Sequence, residues 1–426
     1  MKESLSQNND QCMTLTGRRN FIVKVLTGST AILSAGAVFK KNSLCLSGQT
    51  PFSPGLHGNE SLLPFSCSAH YSASGIANDN RHRPAAFQGT EAKFYSLVES
   101  KRLRCDLCFR NCLINEGDTG FCRVRKNVEG KLYSMVYGRP AGLQIDPIEM
   151  EPMYHMFPGH QNLCVFTASC NFRCRHCHNW HISQRGPDEV ASKELSPDEV
   201  VETAINKRCR SISHSINEPA VFYEYMYDIA SIAKERGLMT LFHTNGYLNE
   251  MPLRDLLKYM DSVTVDLKAF TDRFYREISS ASLEPVLNSL KIIKEENVHL
   301  EIVNLVIPTL NDDADEIRSM CVWIRDELGD TVPLHFNRFT PIYKLSGLSP
   351  TPVRTLERSA GIAFDTGLKY VYIGNLPGHK HNSTYCPSCG ERLIYRTHIS
   401  VLENNIDKGR CNSCGYHIEG IWEETV

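Results

Sequence analysis

The sequence lacks an excess of charge of either sign. Its 426 residues carry 46 Lys and Arg against 48 Asp and Glu, a formal net charge of −2. Proteins that bind nucleic acid or anionic membrane surfaces usually show a basic excess or stripe, so no nucleic-acid partner is expected. The body of the sequence also lacks a long apolar run, so no transmembrane span is expected there.

The sequence does not fit a disulfide framework either. A chain of this length can bury a large core without covalent cross-links, and its 17 cysteines are an odd number that cannot all pair internally. Eleven of these cysteines fall into three groups, in which most neighbours have two or three residues between them. Such spacing is typical of metal ligation.

The amino-terminal residues 1–40 resemble a twin-arginine export signal. Arg18 and Arg19 precede a moderately apolar stretch, and the small residues 35–37 form a candidate cleavage site. The alternative is an amino-terminal extension without a targeting role. Residues 41–90 are rich in Ser, Gly, Pro and Asn, which predicts a flexible linker.

From residue 161 onward, short apolar runs alternate with amphipathic segments. The runs predict strands at 163–167, 211–216, 239–243, 262–267, 298–306, 334–338 and 370–373. The amphipathic segments predict helices at 220–235, 283–296, 313–328 and 352–366, and one that begins at the capping box of Ser196. This alternation is typical of an α/β fold with parallel strands. Six such units predict a partial (β/α)6 TIM-type barrel over residues 141–380, with ligands at the carboxyl ends of its strands.

Three cysteines, Cys170, Cys174 and Cys177, follow the first predicted barrel strand. Three thiolates on one loop can hold a 4Fe–4S cluster and leave its fourth iron open to a substrate or cofactor. A structural zinc site requires four ligands, and His176 or His178 can supply the fourth. The residues alone therefore leave zinc as an alternative.

This loop resembles the signature of the radical S-adenosylmethionine (radical SAM) enzymes. The longer sequence resembles the radical SAM enzyme of the AmmeMemoRadiSam system, which is related to the glycyl-radical-enzyme (pyruvate formate-lyase) activases. The resemblance covers about residues 95–426. Besides the cysteine loop, the motifs that carry it are Asn217-Glu218-Pro219, Thr244-Asn245-Gly246-Tyr247, Asp266-Leu267-Lys268, Asn304-Leu305-Val306-Ile307-Pro308 and Pro377-Gly378-His379.

The resemblance implies an enzyme that uses a 4Fe–4S cluster and SAM. Such an enzyme cleaves SAM reductively to a 5′-deoxyadenosyl radical, which abstracts hydrogen from a substrate that the sequence does not identify. Two other functions stay open: a glycyl-radical-enzyme activase, and an iron–sulfur protein that transfers electrons without using SAM. The implied partners are a low-potential electron donor, flavodoxin or ferredoxin, and Memo-like and AMMECR-like proteins.

The resemblance also implies contacts to SAM at the carboxyl ends of two strands. Asn217 and Glu218 stand in the motif that holds the SAM amino group, although both glycines of that motif are absent here. A carboxylate beside an ammonium group is favourable. Asp266 and Lys268 match the motif in which Lys approaches the SAM carboxylate.

Three histidines complete the expected site. His335, placed at the end of the sixth strand, resembles the ribose-contacting histidine of the activases. His176, inside the cysteine loop, is a further candidate cofactor contact. His243 departs from the activases, which carry Asp there as part of a monovalent-cation site, and this puts that cation site in doubt.

Two further groups of four cysteines flank the barrel. The group in the cysteine-rich segment 91–140 fits either zinc or a second iron–sulfur cluster; its members are Cys105, Cys108, Cys112 and Cys122. The group in the segment 381–426 predicts a zinc-ribbon-like or rubredoxin-like module with a structural zinc ion; its members are Cys386, Cys389, Cys411 and Cys414.

The expected cofactors conflict with the amino terminus. SAM and low-potential electron donors are resources of the cytoplasm, so assembly is expected there. A functional twin-arginine signal on residues 1–40 would instead predict export or tethering to the membrane.

Overall fold

The computed structural model describes residues 89–422. The expected export signal and nearly all of the expected linker lie outside the described residues. The strands are β1 (Thr90–Glu91), β2 (Tyr95–Glu99), β3 (Arg102–Cys105), β4 (Leu113–Ile114), β5 (Arg125–Val128), β6 (Lys131–Ser134), β7 (Gly142–Pro147), β8 (Gln161–Phe166), β9 (Ser211–His214), β10 (Met239–Thr244), β11 (Ser262–Asp266), β12 (His299–Val306), β13 (Leu334–Arg338), β14 (Val371–Gly374), β15 (Thr384–Tyr385), β16 (Arg392–Arg396), β17 (Val401–Asn404), β18 (Ile406–Asp407) and β19 (Arg410–Cys411). The α-helices are α1 (Trp180–Ser183), α2 (Pro197–Asn206), α3 (Tyr223–Glu235), α4 (Glu250–Leu257), α5 (Asp272–Phe274), α6 (Glu284–Glu295), α7 (Ala314–Leu328) and α8 (Val353–Asp365).

A central sheet of eight strands organises the molecule, in the order β14-β13-β12-β11-β10-β9-β8-β7. Neighbouring strands from β8 to β14 are parallel, whereas β7 is antiparallel to β8. Helices α2, α3, α4, α6, α7 and α8 connect successive parallel strands. The α/β fold expected from strand–helix alternation is therefore confirmed, and the carboxyl ends of seven parallel strands lie along one edge.

Each predicted barrel strand overlaps an observed one. The predicted start of α2 is also confirmed: Glu199 N donates to Ser196 Oγ at 3.3 Å, and Ser196 N donates to Glu199 Oε2 at 2.7 Å. Strand β7 and helix α4 are among the elements that were not predicted. Strand β7 contains Gly, Gln, Asp and Pro and has weak strand propensity, but it is held by pairing with β8 along its whole length. Helix α4 carries Pro252 in its first turn, where proline is tolerated.

The segment before β7 folds into two small antiparallel sheets, β1-β6-β5 and β2-β3-β4. A buried ion pair joins it to α3, because Arg125 Nη2 donates to both carboxylate oxygens of Glu224 at 2.7 and 2.9 Å. A buried charge needs such a partner to offset the cost of leaving water. The ion pair thus fixes this segment against the barrel.

The carboxyl-terminal strands form two small sheets, β15-β16-β17 and β18-β19. Their Ile394 and Ile418 share a buried cluster with Tyr154 and Tyr372. Tyr372 is the second residue of β14, so this module packs near the amino end of that strand. Within residues 89–422, every helix is too short or too polar to cross a bilayer.

Candidate active site

The cysteine loop follows β8 and is anchored by the side chain of Asn217. Asn217 Oδ1 accepts a hydrogen bond from Thr167 N at 3.0 Å, and Asn217 Nδ2 donates to Ser169 O at 2.9 Å. Both residues lie between β8 and Cys170. The Asn217 amide is therefore committed to holding the loop, so its side chain positions the cysteines.

The three thiols are enclosed by protein. Phe172 N donates to Cys170 Sγ at 3.3 Å, and Cys177 Sγ lies 3.0 Å from Ser183 Oγ. Burial raises the pKa of the Cys174 thiol, an effect that the nearby Lys268 opposes. Metal and cluster ligation deprotonates such thiols.

The spacing of these thiols differs from that of a single-ion site. Among the residues that the structure describes, one group of metal-binding side chains has all of its ligand atoms within 4.8 Å of one another, and it is the carboxyl-terminal set of four cysteines. The central loop and its histidines do not form such a group. The wider spacing suits a cluster with several irons better than one zinc ion.

The buried carboxylate of Glu218 links two strand ends. Its oxygens accept hydrogen bonds from Thr244 Oγ1 at 2.7 Å, Asn245 N at 2.8 Å and Ala220 N at 3.1 Å. Burial raises the pKa of this carboxyl, although the three hydrogen bonds oppose the shift. A carboxylate has about four acceptor positions, so Glu218 keeps capacity for one more donor.

Asp266, Lys268 and His243 form a charged group at the ends of β10 and β11. Asp266 Oδ2 lies 2.8 Å from Lys268 Nζ, and Asp266 Oδ1 lies 3.1 Å from His243 Nε2. Burial disfavours all three charges, but their mutual attraction prevails. It holds the pKa of Asp266 well below its ordinary value and those of Lys268 and His243 above theirs.

His243 also approaches a second carboxylate. Its Nδ1 lies 3.9 Å from Glu151 Oε2. The imidazole therefore stands between the two acidic side chains of Glu151 and Asp266, which favour its protonated form. This is the position at which the sequence departs from the activases.

Several buried polar atoms near the strand ends have no hydrogen-bond partner: His176 Nδ1, Asn171 Nδ2, Asn304 Oδ1 and Asn337 Oδ1. Burial lowers the pKa of His176 to about 3, so its ring is neutral. Buried polar atoms are almost always paired, so these atoms fit a site that holds a polar cofactor. The three thiols and this polar lining together fit a cluster with SAM beside it.

Asn337 was missed by sequence reasoning. It is the penultimate residue of β13, and Gly374 on the neighbouring strand makes room for it, because a Cβ there would come 1.9 Å from Asn337 Oδ1. A polar residue near the carboxyl end of a barrel strand was the available signal.

His335 does not lie at the expected end of its strand. It is the second residue of β13, and its Nε2 lies 2.6 Å from Glu301 Oε2. Its ring packs against Tyr154 and Tyr372 at centroid distances of 4.7 and 4.9 Å. The correction follows from direction: in a parallel sheet the first residues of a strand lie at the edge away from the carboxyl ends. His335 therefore lies outside the candidate site, and we do not assign it a contact with the ribose of SAM.

The two four-cysteine groups lie in different surroundings. Cys105, Cys108, Cys112 and Cys122 line one cavity, which also touches Asn171 of the cysteine loop. In the carboxyl-terminal group, Cys386 and Cys414 place their sulfurs 3.6 Å apart, and Cys389 and Cys411 place theirs 3.7 Å apart. Ligands at about 2.3 Å from a tetrahedral ion would be about 3.8 Å apart, so this second group suits a single ion.

Comparisons with known proteins agree with this geometry. The family model of the Radical SAM superfamily matches residues 164–321. The chain is 44% identical to an uncharacterized protein of Methanocaldococcus jannaschii over 331 residues, which covers 77% of this chain and 98% of that protein. It is 27% identical to the pyruvate formate-lyase 1-activating enzyme of Escherichia coli over 224 residues, which covers 49% of this chain and 90% of the enzyme.

A solved structure of similar fold is a domain of pyruvate-formate lyase-activating enzyme from Bacteroides vulgatus. The match has a TM-score of 0.35 at 15% identity and covers 39% of this chain and 99% of that domain.

Proposed function

The chain belongs to the radical SAM superfamily, and we propose that it is an enzyme that cleaves SAM reductively and uses the resulting radical to abstract hydrogen from a substrate. The family implies a 4Fe–4S cluster and SAM, and we assign the cluster to Cys170, Cys174 and Cys177. A cluster held by these three cysteines would supply one electron for reductive cleavage of the S–C5′ bond of SAM to methionine and a 5′-deoxyadenosyl radical. The observation that carries the proposal is the loop of one buried thiol, Cys174, and two half-buried ones, Cys170 and Cys177, beside buried, unpartnered polar atoms.

Two charged side chains are placed to bind the amino acid part of SAM. Lys268 Nζ forms an ion pair with Asp266 at 2.8 Å, and an ammonium group has three donors, so it can also bind the SAM carboxylate. Glu218 retains one acceptor position for the SAM ammonium group. Opposite charges held apart in this way orient a zwitterionic ligand.

Product analysis tests the proposal. We expect the anaerobically reconstituted wild type, given dithionite and SAM, to form 5′-deoxyadenosine. Cys174→Ala should abolish the product, because two thiolates cannot hold the cluster in place. Cys209→Ala, a single cysteine removed outside the three groups, is the matched control and should keep activity. Absence of 5′-deoxyadenosine from wild type with an intact cluster would contradict the proposal.

A glycyl-radical-enzyme activase is the second candidate. The similarity to the pyruvate formate-lyase 1-activating enzyme favours it. In an activase, the 5′-deoxyadenosyl radical would abstract a hydrogen atom from a glycine of a partner protein. A glycyl radical signal in electron paramagnetic resonance (EPR) of that partner would identify this function, whereas a modified small molecule or a non-radical protein product would exclude it.

The specific type within the superfamily is part of the proposal. We assign the chain to the AmmeMemoRadiSam type on the motifs quoted above, with Memo-like and AMMECR-like proteins as partners and a flavodoxin or ferredoxin as electron donor. Co-purification of tagged full-length chain with these two proteins tests the assignment. Recovery of neither protein at matched expression would contradict it.

We propose zinc for the carboxyl-terminal group, on the short sulfur–sulfur distances of that group. Elemental analysis should find about one zinc ion per chain. Cys414→Ser should lose that ion while the chain retains iron. Iron in place of zinc would indicate a rubredoxin-like site.

We propose that the cofactors are inserted in the cytoplasm, because SAM and its electron donors are found there. Fractionation of tagged protein with Arg18→Lys and Arg19→Lys tests the role of residues 1–40. A change in location would show that the segment directs export or tethering.

A further inference from the structure

The amino-terminal group of four cysteines surrounds a buried cavity next to the cysteine loop. The cavity has a volume of about 20 Å³, which is more than one water molecule requires. Its wall includes the thiols together with apolar Ile114, Ala220 and Val221. The four thiols therefore face a shared interior space.

The four sulfurs are spread more widely than in a one-ion site. The carboxyl-terminal group brings sulfurs to 3.6 and 3.7 Å and has all four within 4.8 Å of one another. Within residues 89–422, the amino-terminal group does not reach that spacing. A cubane of four irons separates its thiolates more than one ion does. The contrast inside one chain favours a cluster over zinc at the amino-terminal group.

The charge around the cavity suits a bound anion. Arg125 lines it and is almost fully buried, and its Nε has no hydrogen-bond partner. Burial raises the pKa of the Cys105 thiol to about 11, while Arg125 opposes the shift. Four thiolates around a cluster carry net negative charge, and Arg125, whose charge is already paired with Glu224, offers them the unpartnered N–H of its Nε in the cavity wall.

A short path joins this group to the catalytic loop. Ser169 Oγ donates a hydrogen bond to the carbonyl oxygen of Cys122, and Ser169 is bonded directly to Cys170. On the other side, Arg110 Nε donates to Asn171 O at 3.0 Å. Cys122 and Cys170 are therefore connected by one hydrogen bond and by Ser169.

We propose that Cys105, Cys108, Cys112 and Cys122 bind a second iron–sulfur cluster that relays electrons to the cluster of the catalytic loop. A donor protein that carries a flavin or iron–sulfur centre gives one electron to the second cluster. That electron then passes to the catalytic cluster, so the second cluster returns to its oxidised state and no bond or proton moves. The relay role rests on the proposed SAM chemistry, but the second cluster does not.

Iron analysis of a variant without the catalytic cluster tests the site. The variant carries Cys170→Ala, Cys174→Ala and Cys177→Ala, and is reconstituted anaerobically as full-length chain. We expect about four irons and four sulfides per chain, and an EPR signal after reduction. Adding Cys112→Ala and Cys122→Ala should remove this iron, whereas adding Cys209→Ala and Cys321→Ala should not. An iron-free triple variant, or about two zinc ions per chain, would overturn the proposal.

Donor dependence tests the relay. In a Cys112→Ala variant that keeps catalytic-loop iron, we expect 5′-deoxyadenosine formation to persist with dithionite, a small reductant. With a flavodoxin or ferredoxin donor it should fall about tenfold or more relative to wild type. Equal loss with both donors, or no loss with either, would overturn the relay and leave the iron count as it stands. A wild type that binds the iron but forms no 5′-deoxyadenosine would instead contradict the proposed function.

Discussion

The two ends of the central sheet differ in the hydrogen bonding of their buried polar groups. At the amino end, both oxygens of Glu301 are satisfied: they accept from Tyr154 N at 2.8 Å, His155 N at 2.7 Å and His335 Nε2 at 2.6 Å. At the carboxyl end, His176 and Asn337 keep buried atoms without partners. Saturated hydrogen bonding holds a structure together, whereas unpartnered groups are available to a ligand.

The amino end is also closed by the carboxyl-terminal module. Arg396 is buried, pairs with Glu149 at 3.2 Å and donates to Tyr154 O at 2.7 Å. His155 Nδ1 lies 2.6 Å from Glu419 O, and its Nε2 lies 2.6 Å from Tyr372 Oη. The module thus completes a polar network at the amino end of the central sheet, whereas the cysteine loop follows the carboxyl end of β8.

The largest effect is expected at the amino end, on the free energy of unfolding. Glu301→Gln should lower the free energy of unfolding by about 3 kcal/mol, because it replaces a buried acceptor oxygen by an amide donor that faces the same hydrogen-bond partners. Binding of SAM by the folded fraction should be unchanged. Denaturant unfolding and equilibrium dialysis measure the two. The exposed Glu250→Gln, whose partner is Arg254, is the control and should cost about 1 kcal/mol or less.

A smaller effect, mainly on SAM binding, is expected at the carboxyl end. Lys268→Met should weaken SAM binding by up to about a hundredfold, the value of a lost charge-assisted hydrogen bond. The free energy of unfolding should also fall, because Asp266 loses an ion-pair partner, but by less than in Glu301→Gln, because His243 still pairs with Asp266. Isothermal titration with SAM measures the effect. Wild-type affinity would show that this end does not bind SAM through Lys268.

Acid should weaken the amino end before it reaches the ordinary range of carboxylates. Burial lowers the pKa of His155 from 6.5 to about 4, so the unfolded chain binds more protons than the folded one between these values. Its contribution to stability is therefore fully present above pH 6.5 and is lost as the pH falls toward 4. Denaturant unfolding at several pH values should show the loss, and His155→Gln should reduce it; part should remain, because burial also lowers the pKa values of His160 and His214 to about 4. The exposed His417→Gln should leave the slope unchanged.

The smallest effect is expected at the carboxyl end, on the reduction potential of the proposed cluster. Ser183→Ala removes the hydroxyl 3.0 Å from Cys177 Sγ. Loss of a hydrogen bond to a ligand sulfur should shift the cluster to a lower reduction potential, with iron content unchanged. Redox titration followed by EPR measures the shift. Ser319→Ala, which removes an exposed hydroxyl bonded to Asp315 O, should leave the potential at its wild-type value.

Much of the fold was predictable because it depends on local pattern. The strand predicted at 334–338 matches β13, and the capping box of Ser196 placed the start of α2. Both signals lie within a few neighbouring residues. Strand β7 escaped prediction because pairing with β8, rather than its own propensity, stabilises it.

The candidate site was predictable where ligand spacing carries the information. The cysteine groups were visible as spacings, but the placement of His335 was wrong although its strand was right. His335 pairs with Glu301, which lies 34 residues earlier in the sequence on the neighbouring strand. Resemblance to a family motif does not reveal such a contact. The commitment of Asn217 to the loop backbone was hidden for the same reason.

The imidazole of His243 has a consequence for the conditions under which the site works. The ring stands between Asp266 and Glu151, whose carboxylates favour a positive charge that is attached to the polypeptide. It is governed by pH, because burial and the two carboxylates set the pKa of the ring. We therefore expect the site to be indifferent to exchange of potassium for sodium in the medium, as a built-in counter-ion cannot be washed out or replaced.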